Sequence, residues 1–207
     1  MHYITIIICC SFLALCYIVS RNVSRFKKTH GQSHEEFLEQ ESRANSVRKA
    51  DISALPYIEI PLDELPLDAL SACGYSALAE KLRALASVKI LNLSMYTNTE
   101  LKLMYGPANL TALSDCDDAY TSLIMLLNKI GASLLEADRP HDAEKFLSFA
   151  ISIGSDITTS YTMLATLYAK KHDINRIDWL IGNADSLTSL SGKTIQSNLR
   201  SIRSGLK

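Results

Sequence analysis

Cysteine is scarce in most of this chain. Of five cysteines in 207 residues, Cys9, Cys10 and Cys16 fall in the first apolar stretch, leaving only Cys73 and Cys116 beyond it. No C-x-x-C pair and no Cys/His zinc spacing occurs, which excludes a disulfide framework and a zinc ribbon or finger. A thiol-poor domain fits a reducing compartment. None of the eight glycines belongs to a phosphate-cradling loop, and H-E-x-x-H and G-x-S-x-G are both missing. The histidines (His2, His30, His34, His141, His172) are scattered over an apolar flank, a polar linker and expected turns. These absences nominate no catalytic, cofactor-binding or metal-ligating residue. The expectation is a protein that is not an enzyme and has no cofactor and no small-molecule substrate. A site assembled by the fold from distant residues is the outlying alternative.

The formal net charge is −1, but it is unevenly distributed. Residues 21–50 carry seven Lys/Arg against four Asp/Glu, residues 51–118 four against ten, and residues 191–207 four against none. Overall charge therefore selects no partner, while both ends are basic and the middle is acidic.

Before Arg21 the chain reads MHYITIIICCSFLALCYIVS, with no Lys, Arg, Asp or Glu. Its apolar run from Tyr3 to Val19 is near the lower limit for spanning a hydrocarbon core of ~30 Å. A cleaved signal peptide would want a basic start and a small-x-small exit; a lipoprotein signal would want a small residue before the modified cysteine, where Leu15 stands before Cys16. An uncleaved transmembrane anchor over residues 3–20 needs neither, so the bilayer is the first expected partner. Arg21, Arg25, Lys27 and Lys28 come directly after the run, which puts the amino terminus outside and the rest in the cytoplasm of a cell-membrane protein. N-x-S/T sequons at Asn22, Asn92 and Asn109 would suit a lumenal domain, but a chain rich in Ser and Thr produces them by chance.

Residues 21–50 are polar and lack proline, which predicts a juxtamembrane linker with a solvated helix over residues 35–48. Residues 51–115 form a mixed lead-in expected to pack on the helices of residues 116–207. Three prolines between Leu55 and Leu70 forbid a continuous helix there. A helix is predicted over residues 72–86, with Leu78, Leu82 and Leu85 on one face. Val88–Leu93 reads as a short strand or extended connector, and Asn98 or Thr99 as the cap of a brief helix stopping at Gly106-Pro107. Asp115, Asp117 and Asp118 are read as helix caps, with a metal-binding cluster the lesser alternative.

The segment GASLLEADRPHDAEKFLSFA at residues 131–150 and ATLYAKKHDINRIDWLIGNA at 165–184 share few letters, yet small and large residues alternate alike. Each reads as a helix, a turn and a second helix. Arg139-Pro140 makes the first turn, Gly154 ends the first pair, Thr158 or Thr159 opens the second, and Asp173 caps its second helix. A fixed period of this length marks stacked helical pairs. A closing helix over residues 191–206 sets Ile195, Leu199, Ile202 and Leu206 in one stripe, with Lys193, Arg200 and Arg203 elsewhere. Those cations would suit a solvated cap face, and no aromatic or Gly-rich pattern directs them to nucleic acid.

The segment resembles the tetratricopeptide repeat family. The family's W-x2-L-G-x2-Y is echoed by Leu127, Ile130, Gly131 and Leu134, then by Tyr161, Leu164, Ala165 and Tyr168. Its A-x3-F-x2-A is echoed by Ala143, Leu147 and Ala150, then by Ile177, Ile181 and Ala184. The chain departs from the family where Ser155 and Ser189 replace the proline after the second helix, and where Ile177 replaces an alanine. The resemblance implies an all-α stack of two hairpins (residues 117–154 and 157–188) with a cap, in a domain over residues 116–207. It also implies a concave face lined by Met125, Asn128, Ala132, Thr162, Thr166 and Ala169, open to a protein or peptide partner or filled by residues 55–70. The expected role is a membrane-tethered interaction module. The alternative is a structural subunit whose membrane helix makes the contacts, through Cys9, Cys10, Ser11 and Ala14.

Overall fold

The computed structural model describes residues 34–206, so the anchor expected over residues 3–20 and the basic flank after it lie outside the described residues. Four helices come first: α1 (His34–Asn45), α2 (Leu67–Ala72), α3 (Ser76–Leu85) and α4 (Asn98–Tyr105). Five more complete the fold: α5 (Leu110–Glu136), α6 (Pro140–Ser152), α7 (Thr158–Lys170), α8 (Ile174–Asp185) and α9 (Leu190–Ser204). Among the described residues there is no strand, and no helix is long and apolar enough to cross a membrane. The fold is all-α. It divides into two compact units, Met1–Ala50 with Asn98–Ala108, and Asp51–Thr97 with Asn109–Lys207.

In the first unit α1 packs on α4. The expected solvated helix forms, but it is more than a spacer. Ala44 is fully buried, Lys102 Nζ sits 2.8 Å from a Glu41 oxygen, and Thr99 donates its hydroxyl to the other. The Lys102 and Thr99 hydrogen bonds hold the Glu41 carboxyl below the usual carboxylate range. After α4, Gly106 has φ +82° and lies so close to the Arg48 carbonyl that a Cβ would come within 2.6 Å of its oxygen. Only glycine fits there.

In the second unit the prolines keep residues 55–66 irregular, with Ile58 N–H bonded to the Ile90 carbonyl at 2.9 Å. Val88–Leu93 is a connector and not a strand: it has no partner strand among the described residues, and two of its amides go to α5 instead. Leu91 N–H meets the Cys116 carbonyl at 3.2 Å and Leu93 N–H the Asp117 carboxylate at 2.8 Å. The helix expected over 72–86 forms as α3 but starts four residues later, because Gly74 turns left-handed (φ +81°) and Tyr75 N–H closes α2 back on the Leu70 carbonyl at 2.7 Å.

The cap assigned to the aspartates is also corrected. α5 begins at Leu110, so Asp115, Asp117 and Asp118 stand inside it. Leu113, Cys116 and Tyr120 extend its buried stripe upstream, and that burial lengthens the helix past the first acidic residue.

From α5 onward each helix packs on the next, and α5 also packs on α7, α6 on α8 and α7 on α9. The turns inside the two pairs share one backbone pattern. Asp138 and His172, thirty-four residues apart, both have positive φ (55° and 52°). Arg139 N–H bonds the Leu134 carbonyl at 2.8 Å, and Asp173 N–H bonds the Tyr168 carbonyl at 2.9 Å. Ala137 N–H bonds Ser133 O as Lys171 N–H bonds Leu167 O. This is a six-to-one helix ending used twice at one spacing.

Asp173 caps α8, its carboxylate accepting from Arg176 N–H at 3.2 Å. Neither Thr158 nor Thr159 caps α7; Ile157 occupies that place without a side-chain bond, and Thr159 is drawn across to Asn128. Leu134, Ala143, Leu147, Ala150, Tyr161, Leu164, Ala165, Tyr168 and Ala184 are buried at 1% exposure or less, and Ile181 is half-buried against them. Gly131 is forced to lack a side chain: a Cβ would lie 2.5 Å from Leu147 Cγ and Cδ2.

The interior falls into two clusters. One joins the lead-in, α5 and α6 through residues such as Leu70, Leu82, Ile90, Leu127, Ile130 and Phe146. The other joins α6 to α9 through Leu147, Tyr161, Tyr168, Ile177, Ile195 and Leu199. Buried Glu144 on α6 ties the pairs together, ion-paired to Lys171 at 2.8 Å and to Arg176. The cations of α9 are partly spoken for: Arg200 pairs with Asp185 at 3.0 Å and Arg203 with Asp178 at 2.8 Å, both on α8.

Candidate interaction surface

The six residues expected to line one face prove unequal. Met125 projects from α5 at 62% exposure. Thr162 and Thr166 are exposed on α7, and Ala132 and Ala169 are half-buried. Asn128 is engaged rather than free: its amide oxygen accepts from Thr159 Oγ1 at 2.8 Å and Ser160 Oγ at 2.9 Å. It fastens α5 to α7 through that oxygen. The two threonine hydroxyls also turn inward, Thr162 to the Thr158 carbonyl at 3.0 Å and Thr166 to the Thr162 carbonyl at 2.8 Å. They therefore present methyl groups outward. The face offers shape and apolar contact more than hydrogen bonds.

Around Thr162 and Thr166 lies a depression of about 470 Å³, whose lining also includes Leu135, Asp138, Met163 and Lys170. Met125, Asn128, Ala132 and Ala169 are not part of that lining. Sequence reasoning missed the cations at its edge, Lys170 and Lys171. Lys171 is neutralised by Glu144, whereas Lys170 makes no ion pair among the described residues. The signal was present in the doubled lysine at the end of α7, but which of the two is neutralised depends on the packing that brings Glu144 of α6 to Lys171.

Residues 55–70 do not fill this face. Their apolar side chains (Ile58, Ile60, Leu62, Leu65, Leu67, Leu70) join the cluster with α5 and α6, and the stretch from Leu62 to Asp68 lies beside Lys145 of α6.

At the other end of α5 a second cleft, of about 520 Å³, is walled by Asn92, Ser94 and Met95, by Asp117, Tyr120, Thr121 and Ile124, by Gly154 and Asp156, and by the turn at Ser186–Ser189. Burial raises the Tyr120 phenol well above its ordinary value, with Asp156, Tyr161 and Asp117 adding to the effect. Burial first, then Asp156, pushes the Tyr161 phenol up to about 12. Both remain protonated donors at any physiological pH.

Among the described residues no group of three or more His, Cys, Asp or Glu side chains is placed to hold a metal ion. Cys116 is buried, which raises its thiol above the usual value, and Cys73 is half-buried. Asn109 is only 2% exposed, so in this fold it has no room for a glycan. Compared with known proteins, the chain matches no family model, no curated protein and no solved structure.

Proposed function

We propose that this chain is a membrane-tethered interaction module whose two helical hairpins are tetratricopeptide-like and whose partner is a protein or peptide. The observation that carries the reading is the doubled turn: a left-handed residue followed by a six-to-one hydrogen bond recurs at Asp138 and His172, thirty-four residues apart. Together with the packed small residues Gly131 and Ala165, this gives equivalent units, and stacked equivalent units build extended binding faces. The exposed strip of Met125, Thr162 and Thr166, which the lead-in leaves uncovered, supports a partner held by shape. In this reading residues 3–20 anchor the chain and the helical domain works on the cytoplasmic side.

Full-length chain recovered from detergent-solubilised membranes tests it against the structural-subunit alternative. A chain with Met125→Arg and Thr166→Arg should lose its co-purifying partner, while one whose residues 3–20 are replaced by an unrelated membrane helix should keep it. The reverse pattern would place the contact in the membrane and end the adaptor reading.

A further inference from the structure

Glu144 is the one charged side chain buried among the described residues, and its two oxygens serve different elements. One meets Lys171 Nζ at 2.8 Å, just past the end of α7; the other accepts from the Arg176 guanidinium on α8. Arg176 also lies over the Tyr168 ring, 5.3 Å from its centroid, and donates to the phenol oxygen at 3.4 Å. That leaves the phenol proton for Ser148 Oγ, 3.4 Å away and one turn beyond Glu144 on α6. A closed polar circuit thus runs from α6 to α8, on to α7 and back to α6. The repeat does not call for it. Thirty-four residues earlier the places of Tyr168, Lys171 and Arg176 are taken by Leu134, Ala137 and Asp142. Thirty-four residues after Glu144 stands Asp178, whose pair with Arg203 is at the surface. The circuit belongs to the joint between the two hairpins. A second polar tie holds the other end of α7, where Thr159 and Ser160 donate to Asn128 of α5. Between the ties α7 is held by the burial of Leu164, Ala165 and Leu167, which is strong but has no direction. Directional bonds at its ends select one packing among close alternatives.

We propose that Glu144 is a positioning residue for the partner face: its circuit sets the angle at which α7 lies on the first hairpin, and with it the shape of the surface carrying Met125, Thr162 and Thr166. The assignment rests on the interaction-module reading and names what keeps that face in one form. Glu144 is outside the lining of the depression and acts through Lys171, which is part of it. Replacing a buried ionic group by an apolar one of similar size is often neutral for stability or raises it. Cores repacked in this way lose uniqueness before they lose stability. The two cations are half-exposed, so they regain water when the carboxylate is removed and leave no buried charge behind.

Full-length chain in detergent micelles is given spin labels on non-natural amino acids at positions 125 and 166, and pulsed dipolar spectroscopy reads the spread of α5–α7 distances with no partner present. The native joint should give one narrow distance. Glu144→Leu should broaden it roughly twofold or add a second distance, while Tm stays within about 4 °C or rises. Glu144→Gln, which keeps the shape and an acceptor, should fall between the two. Asp178→Asn, at the matching place on α8, should change nothing. In unlabelled chain Glu144→Leu should lower recovery of the co-purifying partner about threefold to tenfold, as expected when only a fraction of molecules holds the competent shape. An unchanged narrow distance in Glu144→Leu, or equal broadening from Asp178→Asn, would overturn the assignment. So would a fall in Tm with the distance unchanged, which would leave Glu144 a stabilising contact alone. Broadening with full partner recovery would overturn its link to the face. The distances need no partner, so they are independent of the module reading, which falls if Met125→Arg and Thr166→Arg release nothing.

Discussion

Identical chemistry has opposite consequences at two glycines of the helical pairs. Gly131 and Gly182 are both helical, yet a Cβ at Gly131 drives into Leu147 whereas one at Gly182 meets nothing within 4 Å. Gly182→Ala should raise stability by about 0.5–1 kcal/mol through backbone entropy alone. Gly131→Ala should give a net loss of about 1 kcal/mol, because displacing Leu147 costs more than helix propensity returns. Urea denaturation of the two variants checks the pair of signs; matching gains would mean that the Gly131 contact is soft. The contrast explains what was legible. Size at contact positions is written in the sequence because packing enforces it, and Gly131, Ala165 and the bulky residues around them sit where the period placed them. Polar roles are not written that way. Asn128 has the chemistry of a ligand-facing residue, but Thr159 and Ser160 claim its oxygen.

At the scale of elements, helix interiors were legible and helix ends less so. The aspartates at 115, 117 and 118 have the chemistry of caps, but the stripe of Leu113, Cys116 and Tyr120 carries α5 past them. The break at Gly74 was hidden inside a plausible helical pattern, since one glycine does not announce its sign of φ. The α1–α4 pairing was invisible, because it joins residues about sixty positions apart in a polar segment. That pairing has a pH signature. The Glu41 carboxyl titrates below the ordinary glutamate value in the folded chain, so its contribution is complete above that ordinary value and is lost as pH falls through the lower, folded one. Carbon-detected NMR should place Glu41 below an ordinary glutamate, and Lys102→Met should move it back up. An unshifted Glu41 in the unaltered chain would mean that the Lys102 contact does not persist in solution.

For the molecule as a whole, two interior clusters share the α6 wall, and the outer one is closed by α9. Ile195 and Leu199 seal Tyr161, Tyr168 and Ile177 from water. Deleting residues 190–207 should therefore loosen α7 and α8 while α5, α6 and the lead-in keep their protection, as neighbour-stacked units do when an end cap is removed. Hydrogen exchange reads this directly: the amides of α7 and α8 should exchange faster than those of α5, and uniform loss would instead mean one indivisible core. The sequence carried the stacking order because repetition exposes it; it did not carry the cleft at Asp156, whose parts come from three distant turns.

The central claim is that the face shared by α5 and α7 meets a partner while the leader only tethers. Photo-crosslinking in intact membranes tests it most directly, with a benzophenone side chain at Met125, at Thr166 and, on α6, at Lys145. The account predicts the same polypeptide adduct from positions 125 and 166 and none from 145. Adducts only from a probe placed within residues 3–20 would contradict it.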